Sequence, residues 1–286
     1  MKLKTKLITP PILKLCIWLW ICSISKAEPL HGAPDSLPHV DVGKKDSIAL
    51  ITSDNEIHLC TGSLILKNQV LTAASCLKNI PTQDLRVIFG TTDSSLSVHK
   101  KFNVLSKITY EEWCGNQVLC FYEKYTDDLC ILKLDVVDTG IKPIIIGGNL
   151  DTSFKQIKVA GWGLVSNSFH NTYYPKRPRS AAMETLSKTE YEQRVRSQIP
   201  ECFSDVVLPN KVVCAVSQPA VLAVEGDFGG PVFVFYQRQI SGILIQRCPL
   251  SNPLDVNVKQ VNLILKLSHF KEFLTDAVSA EIKLYL

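Results

Sequence analysis

The chain has 286 residues, is 46% apolar and 20% charged, and carries a formal net charge of +4. That balance belongs to a packed chain rather than a disordered one. Its lysines and arginines are scattered instead of gathered into one block, which points away from nucleic acid as a partner.

At the start, Lys2, Lys4 and Lys6 precede an apolar stretch over residues 15–24, followed by the small residues Ser25 and Ala27. This is the pattern of a secretory signal peptide over 1–27, cleaved after Ala27. The apolar stretch is too short for a bilayer core of ~30 Å, which takes about 20 residues of helix, so no membrane association is expected once the signal is removed. Residues 28–44 hold three prolines and two histidines with little apolar periodicity, and read as an extended leader. The remainder, 45–286, reads as one domain.

From Ser47 onward, short apolar runs recur between turn residues: SIALI, GSLIL, QVLTAAS, LRVIFG, FNVLSKITY, LCILKL, IKVAGWG, KVVCAV, PVFVFY, QISGILI and VNLILKL. Runs of this length, rich in Val and Ile and closely spaced, argue for an all-β sandwich or barrel. SHFKEFLTDAV breaks the pattern. Ser268 can cap a helix there, Glu272 suits its first turns, and Phe270, Phe273 and Leu274 fall at helical spacing, which predicts a C-terminal amphipathic helix.

Of ten cysteines, Cys16 and Cys22 lie in the signal, leaving Cys60, Cys76, Cys114, Cys120, Cys130, Cys202, Cys214 and Cys248. An even number in an exported chain reads as disulfides. No pair has CxxC spacing and the six histidines are scattered, so neither a metal nor a cofactor is expected. No N-x-S/T sequon occurs.

Three segments carry a family resemblance. HLCTGSLILKNQVLTAASC resembles HxCGGSLI followed by VLTAAHC, DDLCILKL resembles NDIALLKL, and EGDFGGPVF resembles GDSGGP. With VAGWG at 159–163, the spacing of Cys202 and Cys214, GILI near Gly242 and the terminal helix, the chain looks like the trypsin and chymotrypsin-like serine proteases from about residue 47 to 274. It looks most like the secreted non-catalytic homologues of arthropods. The resemblance implies two packed antiparallel six-stranded β-barrels, a site in the cleft between them, and a C-terminal helix.

It also implies roles. Ser75 stands where the catalytic histidine would be, Asp128 where the orienting aspartate would be, and Phe228 where the nucleophilic serine would be. Gly226 and Asp227 correspond to the oxyanion loop, and Leu222 to the base of the specificity pocket, which Gln246 and Arg247 are expected to narrow. Disulfides are implied for Cys60–Cys76 and Cys202–Cys214. Val224 replaces a loop cysteine whose partner would lie near Cys248. Cys114 and Cys120 flank WCGNQVLC and most simply bridge locally, although with Cys130 and Cys248 they leave three connectivities open. No activation sequence lies between Glu28 and Ser47, so Asp227 is expected to pair with His58, as in family precursors.

Serine attack on an amide needs an oxygen nucleophile, a base and a carboxylate to orient the base. Phenylalanine, serine and aspartate do not supply these, so the expectation is a secreted pseudoprotease, not an enzyme. It would bind protein partners, such as an active protease or its substrate, in an immune or reproductive network. The polar loop SNSFHNTYYPKRPRS offers Tyr173, Tyr174, Lys176, Arg177 and Arg179 as a partner surface, or is simply a solvated, protease-sensitive loop. Rival readings are a hydrolase working through Cys130 with a displaced His99 or His170, and an extracellular adhesive or carrier protein.

Overall fold

Every apolar run named above forms a strand in the computed structural model, which describes residues 28–29, 46–90, 100–123, 126–150, 156–163, 165–166, 172–173, 175–198, 209–217, 221–234, 239–247 and 260–277. Residues 1–27 and most of 28–44 lie outside these. In chain order the elements are β1 (Glu28–Pro29), β2 (Ile48–Ser53), β3 (His58–Leu66), β4 (Gln69–Thr72), β5 (Leu85–Phe89), β6 (Lys100–Thr109), α1 (Tyr110–Gly115), β7 (Cys130–Leu134), β8 (Gln156–Gly161), β9 (Val165–Ser166), β10 (Thr172–Tyr173) and β11 (Arg179–Leu186). These are followed by α2 (Lys188–Gln198), β12 (Val212–Ser217), β13 (Val221–Leu222), β14 (Pro231–Val234), β15 (Ile240–Arg247), β16 (Val261–Lys266) and α3 (Lys271–Ala277).

Two antiparallel barrels close, in the orders β2-β3-β4-β7-β6-β5 and β8-β11-β12-β16-β15-β14. Closure leaves neither sheet an open edge. Strands β4, β12 and β14 are buried along their whole length, whereas β6 is largely exposed on its outer face. The reason is a three-part core. One apolar cluster fills each barrel, and a third lies between them, where Ile48, Leu71 and Ile131 meet Trp162, Phe233, Ile243 and Phe273. A strand facing both its own interior and the other barrel has no polar side.

Three elements depart from the sequence reading. β11 reads RSAAMETL, without a β-branched aliphatic residue, yet it pairs with β8 through 179–184 and with β12 through 183–186. Sheet closure overrides its weak strand propensity. At the C-terminus, Ser268 does not cap the helix. The chain leaves β16 through a 3₁₀ turn, Leu267–Phe270, that starts after Lys266 without a side-chain cap, and α3 continues from it. Helix α1 begins at a capping box in which Thr109 and Glu112 satisfy each other's backbone N–H groups.

The disulfides Cys60–Cys76 and Cys114–Cys120 form, with Cα separations of 6.1 and 5.3 Å. The expected Cys202–Cys214 bridge does not. Cys214 is a free thiol at the centre of β12, set between Leu186 and Leu263 and turned into the apolar cluster between the barrels. Cys202 lies outside the described residues, as does Cys248. Cys130 is also free and buried.

Thr61 ties the barrels together. Fully buried on β3, its hydroxyl donates to the Gly226 carbonyl at 2.6 Å and accepts from the Trp162 N–H at 2.8 Å, while its own N–H donates to the Phe228 carbonyl at 2.9 Å. A second tie is the ion pair of buried Asp127, ahead of β7, with Lys211, ahead of β12, at 2.5 Å. His58, buried at the start of β3, sits against the same seam, and desolvation lowers its imidazole to about 3.

Three measurements test this account. Thr61→Val preserves shape but strands the Gly226 carbonyl and the Trp162 N–H, and should cost roughly 2 kcal/mol or more in urea unfolding. For His58, the unfolded chain takes up a proton near pH 6.5 and the folded chain only near about 3. Stability is therefore full above about pH 6.5 and falls by about 1.4 kcal/mol per pH unit as pH drops through that window. His58→Gln should lack this component of the acid slope. Non-reducing peptide mapping should return Cys60–Cys76 and Cys114–Cys120, with Cys130 and Cys214 alkylated only after unfolding; recovery of a Cys214 disulfide would overturn the assignment.

Candidate functional site

Ser75 opens a 3₁₀ turn, Ser75–Leu77, just after β4, and the Cys60–Cys76 disulfide pins that turn to β3. Asp128 lies two residues ahead of β7, the strand that pairs with β4. The two meet: the Ser75 N–H donates to Oδ1 of Asp128 and the Ser75 hydroxyl to Oδ2, both at 2.6 Å. Burial raises the Asp128 carboxyl above its usual range, while the Ser75 hydroxyl and the N–H groups of Ser75 and Ala74 pull it back. An imidazole would have to compete for these oxygens. Both are already committed.

Across the seam, residues 223–230 form the loop before β14. Gly226 and Gly229 have φ of +92° and +80°, a region L side chains rarely adopt. Asp227 is fully buried and accepts from the N–H groups of Gly163 at 2.7 Å and Val224 at 3.0 Å. The space is tight, since a Cβ on Gly163 would collide with its carboxylate, and one on Gly226 would stand 3.2 Å from Cε1 of His58. Phe228 is half-buried and packs against the cluster inside the second barrel.

The cleft is not closed by that ring. A cavity of about 710 Å³ is bordered by Ser75, Asp128 and Phe228, with Leu77 and Ile245 among its apolar lining and Lys78, Lys107, Glu111 and Tyr122 among its polar lining. The structure thus brings Ser75, Asp128 and Phe228 together beside one cavity. Sequence reasoning missed Thr61, which was visible as the single departure from glycine in HLCTGSLI, and Lys107 and Tyr122, which carry no motif. Lys107 donates to the carbonyls of Leu77 at 3.2 Å and Ile80 at 2.7 Å, holding the turn that carries Ser75. Burial and the neighbouring Glu111 push the Tyr122 phenol up to about 12, so it is no base near neutral pH.

Leu222 lies on β13, whose backbone pairs in parallel with β1 at Glu28–Pro29. Its side chain, like those of Gln246 and Arg247, lies outside the described residues. In the candidate partner loop, Tyr173 is on β10, Lys176 and Arg177 are exposed, Arg179 begins β11 half-buried, and Tyr174 lies outside the described residues. Among the described residues no cluster of three or more His, Cys, Asp or Glu side chains could hold a metal ion.

The chain is 24% identical to a chymase of Rattus norvegicus over 91% of its length and 95% of that protein's. It is 26% identical to Vaa serine proteinase homolog 1 of Vipera ammodytes ammodytes, over 69% of this chain and 70% of the relative, and 26% identical to snake venom serine protease homolog 2 of Macrovipera lebetinus, over the same shares of each. The Trypsin family model matches residues 42–262. Taken with two closed six-stranded barrels and a cleft bordered by Ser75, Asp128 and Phe228, this match means that the chain belongs to the trypsin family of serine proteases and their homologues.

Proposed function

We propose that this is a secreted, non-catalytic member of its family that acts by binding proteins. As a cofactor or decoy it would engage an active protease or its substrate in an extracellular network, immune or reproductive, of the kind attributed to arthropod homologues. The observation that carries the reading is the pair of substitutions facing the cleft. Phe228 has no nucleophilic atom, and Ser75, spent on Asp128 through two hydrogen bonds, provides no base. Two relatives whose names call them serine protease homologs also support it. The expected pairing of Asp227 with His58, whose ring lies against Gly226, belongs to the same reading.

The rival hydrolase reading gains nothing from Cys130. Its thiol is fully buried and desolvation pushes it up to about 12, so it is neither ionised nor reachable. His99 and His170 lie outside the described residues.

Purified protein should leave active-site phosphonates unreacted and a broad peptide library intact. Turnover that persists through repeated purification and through Cys130→Ala would overturn the proposal. In a protease of another fold, loss of the serine or the histidine alone lowers turnover about a million-fold. The double replacement Ser75→His with Phe228→Ser should still give little activity, because Leu222 and Val224 leave the specificity loop unlike an active enzyme's. Robust trypsin-like cleavage by that variant would show the flanking loop to be competent.

A further inference from the structure

The loop between α1 and β7 presents apolar side chains to water. Val118, Leu119 and Phe121 are 97%, 88% and 88% exposed, next to or inside the ring closed by Cys114–Cys120. The base of the loop is held firmly. Cys114 is buried, and Tyr110 and Trp113 stack with Phe270 and Phe273 at the C-terminal end of the chain, with ring centroids 4.9–5.7 Å apart. The Trp113 indole N–H also donates to Asp276 at 3.3 Å. An apolar tip on a braced base has little ordering entropy left to lose on docking, and exposed apolar residues grouped in this way are candidates for a contact site.

The same face supplies a matching socket. The cavity between the barrels has Leu77, Phe228 and Ile245 in its lining, together with the inward-bound Asp127, Asp128 and Lys107, and its exposed charges are Lys78 beside the Ser75 turn and Glu111 and Glu112 beside the tip. Such a surface is self-complementary under a two-fold axis, because the Glu111 beside each tip can face the other molecule's Lys78. We propose that a second copy of this chain is the occupant. Two molecules dock face to face, each placing Val118 and Leu119 into the other's cleft, with Glu111 of one opposite Lys78 of the other. An anionic membrane is disfavoured, since the exposed carboxylates of Glu111, Glu112 and Glu123 flank the tip. The inference does not depend on whether the cleft catalyses, because its readout is oligomeric state.

Sedimentation velocity on the full secreted chain, from submicromolar to near-millimolar concentration, should show a monomer–dimer equilibrium. Leu119→Asp, at a site too exposed to affect folding, should weaken it at least ~30-fold, with circular dichroism unchanged. Lys78→Glu and Glu111→Lys should each weaken it, and the two combined in one chain should restore it. A monomer at all concentrations, flotation of monomer with phosphatidylserine vesicles, a dimer indifferent to Leu119→Asp, or failure of the charge exchange to restore association would each overturn the proposal.

Discussion

A fully buried carboxylate has to be met by donors, and the burial of Asp227 organises the centre of this molecule. Its oxygens take the N–H groups of Gly163 and Val224, and the walls around it are glycine because there is no room for a Cβ at 161 or 163. The left-handed turn at Gly226 follows, since the chain has to reverse around the carboxylate while leaving space for the ring of His58. Thr61 then fixes the loop from the other barrel by binding the Gly226 carbonyl and the Phe228 carbonyl at once. An unpaired buried charge costs several kcal/mol, so this cluster resists piecemeal change. It explains why a chain with phenylalanine at position 228 keeps the glycine–aspartate frame around it. The frame holds the barrels together whether or not a nucleophile stands in it.

Asp128 follows the same logic. Removing an imidazole from a half-buried carboxylate would leave two acceptors facing a low-dielectric cleft, with the charged form penalised. Ser75 resolves this with the shortest available side chain, giving one donor from its backbone and one from its hydroxyl. Ser75 and Asp128 both border the cavity, whose lining also includes Lys107 and Tyr122.

The strands were legible because burial on two faces enriches them in Val, Ile and Leu, whereas their closure into two six-stranded barrels was implied by the family resemblance. β11 was not legible. RSAAMETL has no local reason to be a strand, and only pairing on both sides makes it one. α2, a run of charged residues over Lys188–Gln198, likewise lacks an apolar stripe. Ser75, Asp128 and Phe228 could be singled out because their motifs are short and contiguous. Thr61, Lys107 and Tyr122 act through neighbours distant in sequence, and spacing carries no trace of such contacts. Cys214 marks the limit of analogy: a cysteine at a familiar spacing turns into a core made of Leu186, Leu263 and their neighbours, where its thiol serves as a small apolar group.

These points bear on where recognition resides. A protease reads its substrate with a cleft whose backbone and pocket are fixed by the chemistry next to them, so the loops around it can vary only as far as turnover allows. On the proposed non-catalytic reading no such tie remains, and the rim is free to change so long as Asp227, Thr61 and the inter-barrel core stay put. Exposed Val118, Leu119 and Phe121 stand on a loop whose base is braced by aromatic stacking and a disulfide, a placement that costs the fold little and that solvent alone does not reward. The rigid scaffold and the apolar rim are therefore complementary: the inherited core supplies the stability that lets a short loop expose surface a smaller protein would have to bury.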